Sequence, residues 1–521
     1  MNTTTAEPTH WPRRHILRSL AGLTCLAGPP GQALWAQAAA TLPILAGRSV
    51  ADDWRAMSRV GYGPSPGLVR RLQAMPDARS WALAQVDMAW AASQAPPLIS
   101  PDLANFNSPL PQLFEGTRRE RDLRAQNRSG ALPDADAAAN RRLEFTHPPD
   151  PAYFNRITLQ QAAAWRLGSC SQPDDENPLL ARMTEFWFNH LNVFSGKGAV
   201  RPFAGHYVVN VARKHALGQF EDLLLASARH PAMLHYLDQV QSVAEGSSGP
   251  QGRTRGLNEN YARELMELHT LGVGGGYQQT DVRELARVLT GWTVGPTEPS
   301  GFRFAARQHD TGRKQVLGQT FPVSLLHTGE QEGEDAIRML ARHPATAQRI
   351  SLRLARFFVA DQPPPALVAR LADAFLSSQG DMRGVMKLLL ASPEFWQPEN
   401  RLFKTPMDFA CSALAATQHP GALTPAMDRR GLVLAIGFLE NAGQPLHRWQ
   451  TPDGYPFDAG TWLVPEALTR RADFALALGR QMPEIEFLAP YLSPATRATL
   501  AAERPALRAG LALASPDFMT K

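Results

Sequence analysis

The stretch from Asn258 to Tyr277, NENYARELMELHTLGVGGGY, gathers three glutamates, an arginine, two asparagines and a histidine. Carboxylates and imidazoles at short spacing are the materials of metal ligation and of general acid–base catalysis. At about 100° per residue, Glu259, Asn260, Arg263, Glu264 and Glu267 share one arc of a helix, and Tyr261, Ala262, Leu265, Met266 and Leu268 the other. Glu264 and Glu267 then stand as i, i+3 neighbours, and Arg263 reaches Glu259 and Glu267 at i±4. His269 falls in the apolar arc, about 140° from Glu264, so the two do not easily share a metal. The Glu-x-x-His of di-metal helices is absent, because Met266 stands three residues before His269. Two readings stand: a solvated, salt-bridged face with a core histidine, or a buried carboxylate site for a metal or for proton transfer.

Two further segments carry candidate groups. In EFWFNHLNVF (185–194), Phe186, His190 and Val193 form one stripe and Glu185, Asn189 and Asn192 another. His190 again sits among apolar side chains, and two such histidines on separate helices point to a shared pocket in which neutral imidazoles ligate a metal or shuttle protons. His309-Asp310 invites comparison with HD-type phosphohydrolases, but Asp310 before Gly312 is first of all turn chemistry, and the hydrolase analogy is rejected. The glycines from Gly272 to Gly276 follow a helix and lack a Gly-Lys-Ser/Thr sequence, so they are not a phosphate loop; Gly272 reads as a helix stop. No Gly-x-Ser-x-Gly elbow, His-Glu-x-x-His, Cys-x-x-Cys or haem motif occurs.

The elements that must position these groups are mainly helical. Of 521 residues, 44% are hydrophobic, enough for a sizeable core. Apolar recurrence at three and four marks helices over about 51–92, broken at Gly61–Pro64, and over 159–237, 334–395, 406–439 and the C-terminal part. Thr280 or Asp281 reads as the N-cap of a helix over about 280–289. FRFAARQHDTGRKQVLGQTF alternates, which predicts one β-hairpin over 302–321 with Asp310-Thr311-Gly312 midway. Residues 95–157, rich in Pro, Asn and charge, read as an irregular connection between an N-terminal helical segment (39–94) and a main helical domain (158–521).

Arg13-Arg14, the apolar run Ile16–Ala27 and Ala36-Gln37-Ala38 predict a twin-arginine signal peptide over 1–38, hence a periplasmic or secreted protein without a stable membrane span. The formal charge is +5. Without a basic block or motif, this charge gives no footprint for nucleic acid. Of three cysteines, Cys25 lies in the signal; Cys170 and Cys411 either pair in an oxidising compartment or stand as separate buried thiols.

SRVGYGP near residue 58, FWFNHLNVF, HPAMLHYLD, NENYARELMELHTLGVGGGYQQTDVRELARVLTGW, HDTGRK, HPATAQRI, KTP at 404–406 and the GQP region after Gly443 together resemble the bacterial family of domain of unknown function 1800. The chain departs from it by an EGSSGPQGRTRG insertion and by Pro-Asp-Gly-Tyr-Pro where a simpler Gly-Trp is usual. The resemblance implies a mainly helical, exported protein, encoded beside a sulfatase-like exported protein, with no established reaction. It carries over Trp187, Asn189, His190, Asn258, Glu259, Asn260, Arg263, Glu264, Glu267, His269, Trp292, His309 and Asp310 as motif residues. The expectation is a metal-dependent oxidoreductase or hydrolase, with a transition metal on His190, His269 and His309. Glu264, Glu267 and Asp310 are its catalytic carboxylates, and Trp187, Asn189, Asn260 and Arg263 its cofactor-binding groups. The alternative is a non-catalytic periplasmic partner of the sulfatase-like neighbour or of an envelope polymer. The twin-arginine translocase is a partner during export in either case.

Overall fold

A computed structural model describes residues 49–127, 149–247, 256–324, 326–417, 429–480 and 485–521. The expected signal peptide lies outside these residues, as does most of the EGSSGPQGRTRG insertion. Helices dominate, and two small antiparallel sheets interrupt them. Among the described residues no helix is long and apolar enough to cross a membrane.

Six helices position the groups of interest. They are α1 (Phe154–Ser171), α2 (Pro178–His190), α3 (Asn260–Glu264), α4 (Gln279–Val288), α5 (Pro344–Phe358) and α6 (Pro406–Thr417). Local chemistry starts them where the sequence allows. Asn177 caps α2, its side chain accepting from Leu180 N at 3.0 Å, and Pro178 takes the first turn, where no N–H is needed. Thr405 and Asp408 form a reciprocal cap on α6: Thr405 N donates to Asp408 Oδ2 at 3.2 Å, and Asp408 N to Thr405 Oγ1 at 3.1 Å. That is the local reason for the Lys-Thr-Pro stretch. The His-Pro-Ala of HPAMLHYLD and of HPATAQRI does the same work: Nδ1 of His230 and of His343 accepts from Ala232 N and Ala345 N, each at 3.1 Å. These histidines are helix caps.

The cap of α4 differs from expectation. Gln278 is the N-cap, and Asp281 sits at the third position, accepting from Gln278 N at 2.8 Å. Residues 110–127, read as irregular, form a helix carrying an i, i+4 pair between Glu115 and Arg119. The prolines at its start masked a run of good helix formers.

The expected hairpin is two. β1 (Trp292–Val294) pairs with β2 (Phe302–Phe304), and β3 (Lys314–Val316) with β4 (Gln319–Phe321). The second turn is Leu317-Gly318, both at positive φ (49° and 81°), as a two-residue hairpin requires. His309 and Asp310 therefore lie in the segment between two hairpins and not at a tip. Asp310 keeps its turn chemistry, accepting from Gly312 N at 2.8 Å.

The core is tied together by charge and by covalent bond. Cys170 of α1 and Cys411 of α6 form a disulfide. Beside it Asp408 of α6 takes Arg182 of α2 on one oxygen and Lys521 on the other, all three side chains being buried. Arg182 is also flanked by the rings of Tyr62 and Phe357. Lys404 donates to Ser412 Oγ at 2.8 Å and faces Phe518. Burial pushes the Lys404 amine well below its ordinary range.

Candidate functional site

The NENYARELMELH segment is a helix only in its first half. α3 gives way at Leu265 to a π-turn over Leu265–His269. A widened turn of this kind breaks the regular ladder and is common at functional sites. Side chains take up three of its carbonyls. Thr270 Oγ1 donates to Leu265 O at 2.6 Å, Arg349 Nε to Leu268 O at 3.0 Å, and His190 Nε2 to His269 O at 3.0 Å. The 100° wheel therefore holds for Asn260–Glu264 and not beyond.

The first consequence concerns the two core histidines. His190 and His269 are buried side by side, with ring centres 6.4 Å apart. Because His190 Nε2 donates its proton to a carbonyl, Nδ1 carries the lone pair. Among the described residues that atom and His269 Nε2 are both buried without a hydrogen-bond partner. Burial, then Arg353 and Arg349, push His190 well below its ordinary value; burial, Arg349 and Arg353 take His269 down to about 3. Both imidazoles are neutral when folded.

A pH dependence follows. A folded pKa below the unfolded one means the unfolded chain binds more protons, so this stabilisation is complete above the ordinary 6.5 and lost as pH falls toward about 3. The slope is about 1.4 kcal/mol per pH unit for each such histidine. Urea midpoints measured from about pH 6.5 to about pH 4.5 are expected to fall with that slope. His190→Gln and His269→Gln are each expected to flatten it. A slope that both variants leave unchanged would refute the assignment.

The outward face of the segment is a polar ladder. Arg263 pairs with Glu259 at 3.3 Å and with Glu267 at 3.6 Å, as the sequence predicts. It also donates to Gln279 Oε1 at 2.9 Å. Glu267 hydrogen-bonds the Tyr277 side chain. Asn258 and Asn260 donate to Asp238 O and Leu237 O at 3.2 and 3.3 Å, seating the helix start on the HPAMLHYLD turn. Glu264 is different. It is half-buried, and among the described residues its carboxylate has no hydrogen-bond or ion-pair partner. Burial, Glu267 and Asp453 raise its pKa, against Arg263.

Asp453 arrives on the loop 443–458, which the polar stripe of α2 holds by its main chain. Asn189 Nδ2 donates to Tyr455 O at 2.9 Å, and Asn189 Oδ1 accepts from Tyr455 N at 2.7 Å. Asn192 donates to Trp449 O and Thr451 O at 3.1 and 2.8 Å, and Tyr236 to Gln450 O at 2.7 Å. Trp449 Nε1 and Thr451 Oγ1 donate to Asp453 Oδ1 at 3.0 and 2.6 Å, which aims that carboxylate. Arg353 donates to Asp453 O at 3.4 Å. Glu264, Glu267, Asp453, Tyr236 and Arg353 thus form one electrostatically linked cluster, and Arg353 also acts on the histidine pair.

The remaining candidates lie elsewhere. His309 belongs to a buried network at the hairpins: Nδ1 bonds Thr290 O at 2.9 Å, and Nε2 bonds Glu332 at 3.1 Å. Lys314 donates to the other Glu332 oxygen at 2.7 Å. Asp310 pairs with Arg287 at 2.8 Å. Burial pushes its carboxyl up, but the hydrogen bonds from Arg287 and Gly312 outweigh that and hold it below the usual range. Trp187 is fully buried, its indole N–H on Ala216 O at 2.8 Å. His190, His269 and His309 do not assemble: among the described residues no group of three or more His, Cys, Asp or Glu side chains is placed to hold a metal ion.

Sequence reasoning missed Tyr236, Arg349, Arg353 and Asp453. The i, i+4 spacing of Arg349 and Arg353 after HPATAQ was a usable signal. Nothing local marked Asp453, which reaches the cluster only through the loop's path.

No curated protein matches the chain, and no solved structure does. A family model described as a protein of unknown function (DUF1800) matches residues 55–520, which contain the Glu264–Asp453 cluster, the histidine pair and the hairpin network, and the chain belongs to that family.

Proposed function

We propose that this protein is an exported hydrolase that works by acid–base catalysis at the Glu264–Glu267–Asp453 cluster, with an envelope polymer as substrate. Glu264 carries the reading. It is a motif carboxylate without a protein partner among the described residues, in a cluster where its neighbours are bonded, and its pKa is raised. A raised pKa favours the protonated carboxyl, the form that can donate to a leaving oxygen. Asp453, oriented by Trp449 and Thr451, takes the proton of the attacking water. Arg263 and Arg353 offset the gathered negative charge. The donor sets of the three histidines favour this metal-free form over a metal-dependent one, because His309 is held apart in its own network.

Export is supported by Arg13-Arg14, the apolar run and the Ala-Gln-Ala site. The Cys170–Cys411 disulfide supports it independently, since such bonds persist in oxidising compartments.

Incubation of mature protein with isolated peptidoglycan sacculi, scored by soluble fragments released, tests the reading. Glu264→Gln is expected to lose about a hundredfold or more of the rate with an unchanged melting temperature. Equal rates for wild type and variant would sink it. One observation favours a second reading, a non-catalytic partner of the sulfatase-like neighbour: Asn189, Asn192, Asn258, Asn260, His309 and Asp310 are all spent on internal hydrogen bonds. No turnover, together with a one-to-one complex that survives His190→Ala and His269→Ala, would decide for it.

A further inference from the structure

A surface cavity of about 220 Å³ lies where the helix Ala78–Gln94 meets the turns 214–222 and 381–383. It shares no lining residue with the motif cluster. One wall is Trp90, with the Arg383 guanidinium over its ring at 4.6 Å. Gln219 and Asp381 are bridged through their backbones and hold the two turns together. Among the described residues one lining acceptor, Gln219 Oε1, is buried without a hydrogen-bond partner, while Arg383 Nε pairs with Asp381 Oδ1 at 3.6 Å. Gly218 leaves the space open. A Cβ there would meet Trp90 at 3.6 Å, an ordinary contact, so a larger side chain fits the backbone but fills the cavity.

The chemistry of the lining selects its ligand. Lys214 and Arg383 face Asp222 and Asp381, so the formal charges cancel; burial pushes His215 below its ordinary value, which leaves it neutral. A phosphate or carboxylate would gain as much repulsion as attraction. A purely apolar ligand would leave the buried Gln219 Oε1 unpaired, with its desolvation uncompensated. The space is smaller than the roughly 300–1,000 Å³ of drug-sized pockets, so it takes one ring-sized unit. A group with hydroxyls that donate and accept, and with a C–H face to lay against an indole, meets each of these demands.

We infer that this cavity binds one neutral sugar unit of a polysaccharide, as a docking subsite separate from the Glu264 cluster. The test is titration of the full chain with maltohexaose, cellohexaose and chitohexaose, followed by calorimetry and tryptophan fluorescence. Saturable binding of at least one is expected. Gly218→Leu and Asp222→Ala are each expected to weaken it by about tenfold or more, while Glu264→Gln binds like wild type. Asp222 is exposed, so its removal leaves the core intact and decides the matter even if Gly218→Leu fails to fold. Failure of all three oligosaccharides to saturate overturns the inference. So does binding that Asp222→Ala leaves intact, or saturation by a zwitterionic dipeptide in their place.

Discussion

Asp408→Ala is expected to destabilise the protein by about 3–5 kcal/mol, the usual loss when one partner of a buried ion pair is removed. Asp408 is buried and holds Arg182 and Lys521, themselves buried. Burial alone would raise its pKa, yet the two cations keep the carboxyl well below the ordinary range. Removing it strands two positive charges beside Lys404 and Arg471, both also buried. It also breaks the reciprocal cap with Thr405 at the start of α6. Asp408→Asn keeps the shape and part of the cap but not the charge, and falls between. Urea denaturation read by tryptophan fluorescence measures both; an alanine variant within about 1 kcal/mol of wild type would show that the cluster contributes little.

Loss of the Cys170–Cys411 bond is expected to cost about 4–5 kcal/mol. The bond closes a sequence separation of 241 residues. In the chain-entropy account a longer loop restrains the unfolded state more, and about 4.7 kcal/mol is already reached near a hundred residues. The double variant Cys170→Ala/Cys411→Ala and wild type treated with a reductant should show the same lowered denaturation midpoint. Agreement of the two separates loss of the covalent link from loss of packing at Cys411, which is fully buried. Coincident midpoints for oxidised and reduced wild type would refute it.

The legible parts of the chain were those governed by local rules. Recurrence of apolar residues at three and four exposed the helices, and the pairing of Arg263 with Glu259 and Glu267 came directly from i±4 spacing. The burial of His269 was likewise legible. What failed did so where a distant residue decides the local geometry. The π-turn at Leu265 has side chains of Thr270, Arg349 and His190 on its carbonyls, and two of those three come from other helices. Glu332, the partner of His309, lies 23 residues beyond it on another helix. The motif histidines look alike in sequence, yet His230 and His343 are caps, His309 is a network member, and His190 and His269 are a buried pair. Their roles are set by which nitrogen meets which backbone group, and no spacing rule encodes that.

The loop 443–458 touches Asn189, Asn192 and Tyr236 only through its own peptide groups. Side chains anchor its two ends: Gln444 Oε1 accepts from Met407 N at 2.8 Å, His447 is buried against Phe188, and Phe457 packs on Phe357. At its centre Gly454 is fixed by space, because a Cβ there would sit 2.0 Å from Asn189 O and its φ is +76°. Within Pro-Asp-Gly-Tyr-Pro, Gly454 and the peptide groups of Tyr455 lock the turn onto Asn189, so the neighbouring Asp453 is delivered by backbone fit and its side chain is the one to exchange for retuning the site.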